Sequence, residues 1–321
     1  MALCGGSKQT LDTPTRPVHA SEMRATTTLL ALLILAPHPT VAQAPAWADL
    51  WRVAEGALVR PAALGDGPTA VFWNPAATVS QRRASFAVDV YQTPDVVNVS
   101  AVLLGATLAL GRQVGVGLVA GRASVGDLVR TSTSPIGEGA DIPVYAQFAG
   151  AAIGGRVGPL EGGVTTLLHD TRLDARDAGG ITVDLGVRVR PFTGLVIGVA
   201  THLGEPIATG GAASEYLGGA EYAAGIPPVF GLAAELHVRY GFTAREAGSA
   251  DHLGSAGLLL ADRLLIEAGA LRAGGYGAGA WQPLLGIAFK AGPFRVGIAR
   301  GAGASDIGAT YRITFGVTGT P

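Results

Sequence analysis

From Phe230 to Tyr240 the side chains alternate without a break. Phe230, Leu232, Ala234, Leu236, Val238 and Tyr240 fall on one side, and Gly231, Ala233, Glu235, His237 and Arg239 on the other. Successive side chains of an extended strand point to opposite faces, so this stretch presents one apolar and one polar surface. The same period recurs at 181–190, where Ile181, Val183, Leu185, Val187 and Val189 oppose Thr182, Asp184, Gly186, Arg188 and Arg190. It recurs again at 307–318, where Ile307, Ala309, Tyr311, Ile313 and Phe315 oppose Gly308, Thr310, Arg312 and Thr314.

Segments of this kind run over 84–92, 97–110, 114–125, 143–157, 160–173, 179–190 and 194–204, then over 217–224, 229–242, 252–260, 263–272, 280–290, 294–300 and 307–318. They make about fourteen strands, most near the roughly 9–11 residues that a tilted membrane strand needs. Every second connection reads as a tight turn: Gly111-Arg112-Gln113, Gly158-Pro159, Pro191-Phe192-Thr193, Gly225-Ile226-Pro227-Pro228, Ala261-Asp262 and Ala291-Gly292-Pro293. The others are mostly longer, above all 127–142 and 204–216, with 243–251 next. Short turns at one end and long loops at the other predict an all-β, transmembrane, antiparallel up-and-down barrel. Lipid supplies no hydrogen-bond partners, so the sheet must close and leave no open edge. A soluble β-sandwich also alternates, but it has no use for an apolar outer face on nearly every strand.

With the apolar stripe toward lipid, the other stripe points inward. It carries Asp89, Asp184, Arg188, Arg190, Glu235, His237, Arg239, Glu267, Arg295 and Arg312, a mixture of signs that reads as a salt-bridged or hydrated lumen rather than a selectivity path. Gly115, Gly117, Gly121, Gly198 and Gly297 share that face and leave room inside for another segment. Tyr240, Phe242, Trp281, Phe294, Tyr311 and Phe315 are candidate interface anchors.

Upstream of the strands, 1–22 is a polar extension without structural pattern, and Met23 reads as the true translation start. Met23-Arg24, the apolar run Leu29 to Ala36 and the small residues Thr40-Val41-Ala42 have the order of a secretory signal peptide over 23–42. Pro37 and Pro39 break that run short of the roughly 18 apolar residues a spanning helix needs. Export of this kind directs a barrel to the outer membrane. Between the signal and the barrel (84–321), residues 43–83 are the candidate plug. They open on a helical pattern in which Trp47, Leu50, Trp51, Ala54 and Leu58 recur every three or four residues.

Composition excludes several functions. The net charge is -1, with no basic run interleaved with aromatics, so nucleic acid is not an expected partner. Cys4 is the single cysteine and allows no internal disulfide, and the 6 histidines are scattered without metal-ligand spacing, so no metal or other cofactor is expected. His169-Asp170 lacks a GxSxG or comparable nucleophile setting and reads as a solvated pair at a strand end; no catalytic residues, and no enzyme activity, are expected.

The plug contains Ala70-Val71-Phe72-Trp73-Asn74-Pro75-Ala76-Ala77-Thr78. Pro75 holds its own φ and pushes Asn74 toward extended backbone, which lets the Asn74 side chain cap a helical turn that starts at Pro75. This stretch, followed by about fourteen strands, resembles the N-terminal signature of the FadL-type and PorV/PorQ-type outer-membrane barrels, D/G-x-x-T/A-x-x-x-NPAG. Gly67, Ala70, Asn74, Pro75 and Ala76 match it, Phe72 and Trp73 fill variable positions, and Ala77 stands where the last glycine is usual. The resemblance implies that the N-terminal region sits in the barrel as a hatch and that hydrophobic compounds leave sideways through the wall. Its PorV/PorQ side implies instead a non-transporting barrel that serves a type IX-like secretion system. The expected partners are therefore outer-membrane lipid with hydrophobic small molecules or with secretion-system proteins, and the Asn-Pro turn is expected to be architectural.

Overall fold

The computed structural model describes residues 46–79, 84–94, 97–130, 141–204, 214–245, 250–274, 281–302 and 308–319. The expected extension 1–22 and signal peptide 23–42 and the long-loop stretches 131–140, 205–213 and 246–249 lie outside the described residues, as does Ile307.

Fourteen antiparallel strands pair each with its sequence neighbours, and the first pairs with the last, so the sheet closes into a barrel. They are β1 (Ser85–Gln92), β2 (Val99–Ala109), β3 (Val114–Val125), β4 (Val144–Val157), β5 (Leu160–Leu173), β6 (Arg176–Val189) and β7 (Leu195–Gly204). The second half comprises β8 (Glu215–Val229), β9 (Leu232–Arg245), β10 (Asp251–Leu260), β11 (Leu264–Arg272), β12 (Trp281–Ala291), β13 (Phe294–Gly301) and β14 (Thr310–Thr318). The outer stripe is apolar and uncovered around the whole circumference, with Leu118, Leu168, Val183, Val238, Ile287 and Ile313 all exposed. Each such side chain would gain about 1.5–3 kcal/mol by leaving water, so this surface belongs against hydrocarbon. The six candidate anchors Tyr240, Phe242, Trp281, Phe294, Tyr311 and Phe315 lie on it.

Two connections differ from the sequence reading. β6 begins at Arg176, which reduces the β5–β6 connection on the long-loop side to Asp174 and Ala175. Polar residues on both faces of 176–178 hide the strand from an alternation count. The run Gly225-Ile226-Pro227-Pro228 is strand, not turn: the chain reverses at Phe230 and Gly231, whose φ values are +52° and +76°. Pro227 and Pro228 occupy a register shift between Ile226 and Val229, beyond the row where β7 starts at Leu195 opposite Tyr222. Their missing N–H groups leave no ladder bond unmade there.

Residues 46–79 lie inside the barrel. Helix α1 (Ala46–Glu55) sits at the long-loop end, where Glu55 pairs with Arg245 at 2.6 Å and Arg52 with Asp251 at 3.5 Å. The chain then descends through a 3-10 turn at Ala62–Leu64, the short helix α2 (Ala70–Trp73) and a second 3-10 turn at Pro75–Val79. At the short-turn end the guanidinium of Arg156 donates to the Val79 carbonyl at 3.2 Å. Asn74 has extended backbone (φ -150°, ψ 108°), is fully buried, and accepts the Ala76 N–H on its side-chain oxygen at 3.0 Å. Its amide nitrogen donates to the Ala63 carbonyl at 2.6 Å, tying the two turns together. Gly163 and Gly186 make this approach possible, because a Cβ at either would collide with Pro75 or Asn74.

Candidate functional site

The plug packs chiefly against β2 to β8. Its aromatic side chains form one cluster with the wall on that side: Phe72 stacks on Phe148 with ring centroids 4.4 Å apart, and Trp51 lies 5.1 Å from Phe148 and 5.2 Å from Phe72. Phe72 in turn meets Trp73 edge-on at 4.7 Å. Between the plug and the opposite wall remains a cavity of about 230 Å³. Leu58, Val59 and Trp73 of the plug and Leu265 of β11 give it apolar surface, and the small inward residues Ala87, Ala288, Gly297 and Gly316 leave it wide.

This cavity is closed at the long-loop end and open at the other. Inward positions along β12 run from buried Leu284 through half-buried Gly286 and Ala288 to exposed Lys290, and β13 runs from buried Gly301 to exposed Arg295. The closure is made by α1 with its ion pairs and by Val59 packed against Leu253 and Leu284.

The inward charges divide by place. Arg239, Glu267, Arg295 and Arg312 line the cavity together with Arg60 and Asp66 of the plug. Arg239 pairs with both Glu221 and Glu267, Arg60 with Glu221 at 3.0 Å and with Asp66, and Arg312 with Asp89 at 2.9 Å. His237 lies 3.5 Å from Glu221 and 3.7 Å from Glu235, and Glu235 is half in solvent toward the short-turn end. Arg190, also near that end, reaches Glu161 at 3.4 Å. Asp184 and Arg188 stand apart, behind the plug: Asp184 faces His202 at 3.0 Å, and buried Arg188 binds Glu161 at 3.4 Å and Asp66 at 3.2 Å. Burial alone would lift the Asp66 carboxyl, but the guanidinium groups of Arg60 and Arg188 hold it well below the usual carboxylate range.

Arg60, Asp66, Glu161, His202 and Glu221 were not among the residues singled out from sequence. Glu161 and Glu221 carry the alternation signal and sit on inward stripes; Arg60 and Asp66 carry none, because the plug has no period. The expectation of a solvated His169-Asp170 pair is corrected. Consecutive strand residues face opposite ways, so His169 is buried in the lumen against Thr182 at 2.7 Å, while Asp170 faces outward and accepts from Gln147 at 2.7 Å.

On the outer face of β2 to β5 lies a second depression of about 380 Å³, with Val102, Leu104, Ala120, Ala149 and Leu168 around it. At its floor the backbone of Gly121, paired with Leu103 and Phe148 in an unbroken ladder, backs onto the plug, and a Cβ there would come within 2.6 Å of Trp51 and 2.8 Å of Phe148.

No protein-family model matches the sequence, and no curated protein matches it. Among solved structures, the Pseudomonas putida toluene transporter TodX superposes with a TM-score of 0.52 at 10% identity, over 79% of this chain and 94% of that one. A Pseudomonas aeruginosa FadL homologue gives 0.47 at 10% identity over 88% and 100%. CdiB from Acinetobacter baumannii gives 0.44 at 11% identity over 73% of this chain, which spans 59% of that protein's length. At such identities the likeness bears on fold alone, and the fold is a closed antiparallel β-barrel like that of TodX.

Proposed function

We propose that the protein passes small hydrophobic compounds across the outer membrane. The observation that carries this reading is the space left in the lumen: the plug leans on β2 to β8 and leaves an accessible cavity, partly apolar, against the other wall. A fixed structural plug alone has no need of that space. Benzene fits a cavity of about 150 Å³, so 230 Å³ gives room for a single-ring compound, here against a wall that is apolar on one part and charged on another.

The route we favour starts in the outer depression over Gly121, requires the β2–β3–β4 ladder that is closed there to part, and then passes the Trp51–Phe72–Phe148 cluster, follows Trp73 into the cavity and ends at the short-turn mouth. The description of TodX as a toluene transporter agrees with a cargo of this size. The test is reconstitution into liposomes with a panel of single-ring and long-chain hydrophobic compounds. Faster entry of the single-ring members than into protein-free liposomes supports the reading, and equal entry for every compound overturns it.

A second reading, a barrel that acts as a docking partner for other proteins such as a secretion system, is favoured by one feature. The β8–β9 hairpin overhangs its neighbours with Pro227, Pro228, Val229, Phe230, Gly231 and Leu232, and Phe230 at its tip is 93% exposed. Under this reading Phe230→Asp removes bound partner protein without altering entry of any compound.

A further inference from the structure

Among the described residues the cavity carries cationic and N–H groups that no protein acceptor meets. Arg295 has no ion-pair or hydrogen-bond partner among the described residues, although it points into the lumen beside Arg312 and Arg60. Around it Arg60 Nε, Arg312 Nε and the indole N–H of Trp73 are buried without an acceptor. The carboxylates nearby are already engaged: Asp89 by Arg312 and Thr314, Glu221 and Glu267 by Arg239, Asp66 by Arg60 and Arg188. Lys290, opposite Arg295 in the β12–β13 register, adds a further cation at the mouth. Arg295 is exposed toward the cavity mouth, where an incoming ligand can reach it, while the donors behind it are buried, and a guanidinium is matched in geometry by a carboxylate.

We propose that the cavity is a binding site for a small organic anion, a carboxylate on a single-ring apolar body, with Arg295 as the group that takes the carboxylate. The ring lies against Leu58, Val59 and Trp73, and the carboxylate meets Arg295 with Arg312 and Arg60 behind it. This names the cargo class of the lumen and rests on the reading of that lumen as a passage. It also departs from a purely hydrophobic cargo, because a neutral ring leaves every one of these donors unanswered.

The test is calorimetric titration of the detergent-solubilised protein with benzoate, benzylamine and toluene, repeated for Arg295→Gln and Arg295→Lys. Heat-modifiable gel migration checks that each barrel is folded. Benzoate is expected to bind best, to lose at least tenfold in affinity in R295Q and to be largely retained in R295K. Toluene or benzylamine binding as well as benzoate, or R295Q matching the wild type, overturns the proposal. Entry of the same compounds into liposomes separates the two readings. Benzoate binding without entry supports the anion site and removes the passage, whereas toluene entry without benzoate binding keeps the passage and removes the anion site.

Discussion

Arg188 of β6 donates to the carbonyl of Ala76 at 3.0 Å, just past the Asn-Pro turn, and thereby fixes the plug to the barrel wall. The same guanidinium donates to the Gly65 carbonyl at 3.1 Å and faces Asp66 and Glu161. One wall residue thus holds two separate bends of the plug. Arg188→Met leaves two carboxylates and two carbonyls without this partner, and breaking a buried pair on one side costs about 3–5 kcal/mol. The temperature at which the barrel loses its heat-modifiable migration is expected to drop clearly; an unchanged temperature would mean the plug is held elsewhere.

Asn74 is fully buried, and both ends of its side chain are used. Asn74→Ala orphans the Ala63 carbonyl and the Ala76 N–H at about 1–3 kcal/mol each. Yield of folded barrel should fall before any preference among compounds changes. The opposite order of effects, altered preference in a fully assembled barrel, would make Asn74 a ligand contact instead.

Asp66 gives the plug a pH dependence of known sign. Arg60 and Arg188 outweigh burial and depress its folded value. Its contribution is therefore whole above the unfolded value of about 3.9 and is lost as pH falls below that toward the folded value. Wild type and Asp66→Asn are expected to differ by a constant amount in heat stability from pH 7 to about pH 5, and to converge below about pH 4. A gap that widens on acidification would refute this assignment.

Trp51 stands between the outer depression and the rest of the aromatic cluster. Trp51→Ala removes the side chain that backs Gly121 and should speed entry of single-ring compounds several-fold, while lowering barrel stability by about 3–5 kcal/mol for the lost packing. Slower or unchanged entry in a folded W51A barrel would place the route elsewhere.

The barrel was legible because its physics is periodic. Closure against lipid forces alternation on nearly every strand, and β3 and β5 fall at the residues that alternation marks, Val114–Val125 and Leu160–Leu173. Where alternation fails, the reading fails: Arg176 and Asp177 extend β6 with polar residues on both faces, and Pro227-Pro228 imitates a turn inside β8. The local form of the Asn-Pro turn was also legible, since the proline fixes it without tertiary help. Which wall the plug leans on was not, because that depends on glycines scattered over many strands, such as Gly163 and Gly186, meeting one short segment. The cavity and the isolation of Arg295 follow from that choice of side, so neither could be read from spacing.

The most direct measurement is uptake of a labelled single-ring compound by cells lacking the protein and by the same cells supplied with it, with the barrel verified in their outer membranes. Uptake is expected to rise several-fold above the deficient cells. Equal uptake in the two, with folded barrel present, would contradict passage through the lumen cavity.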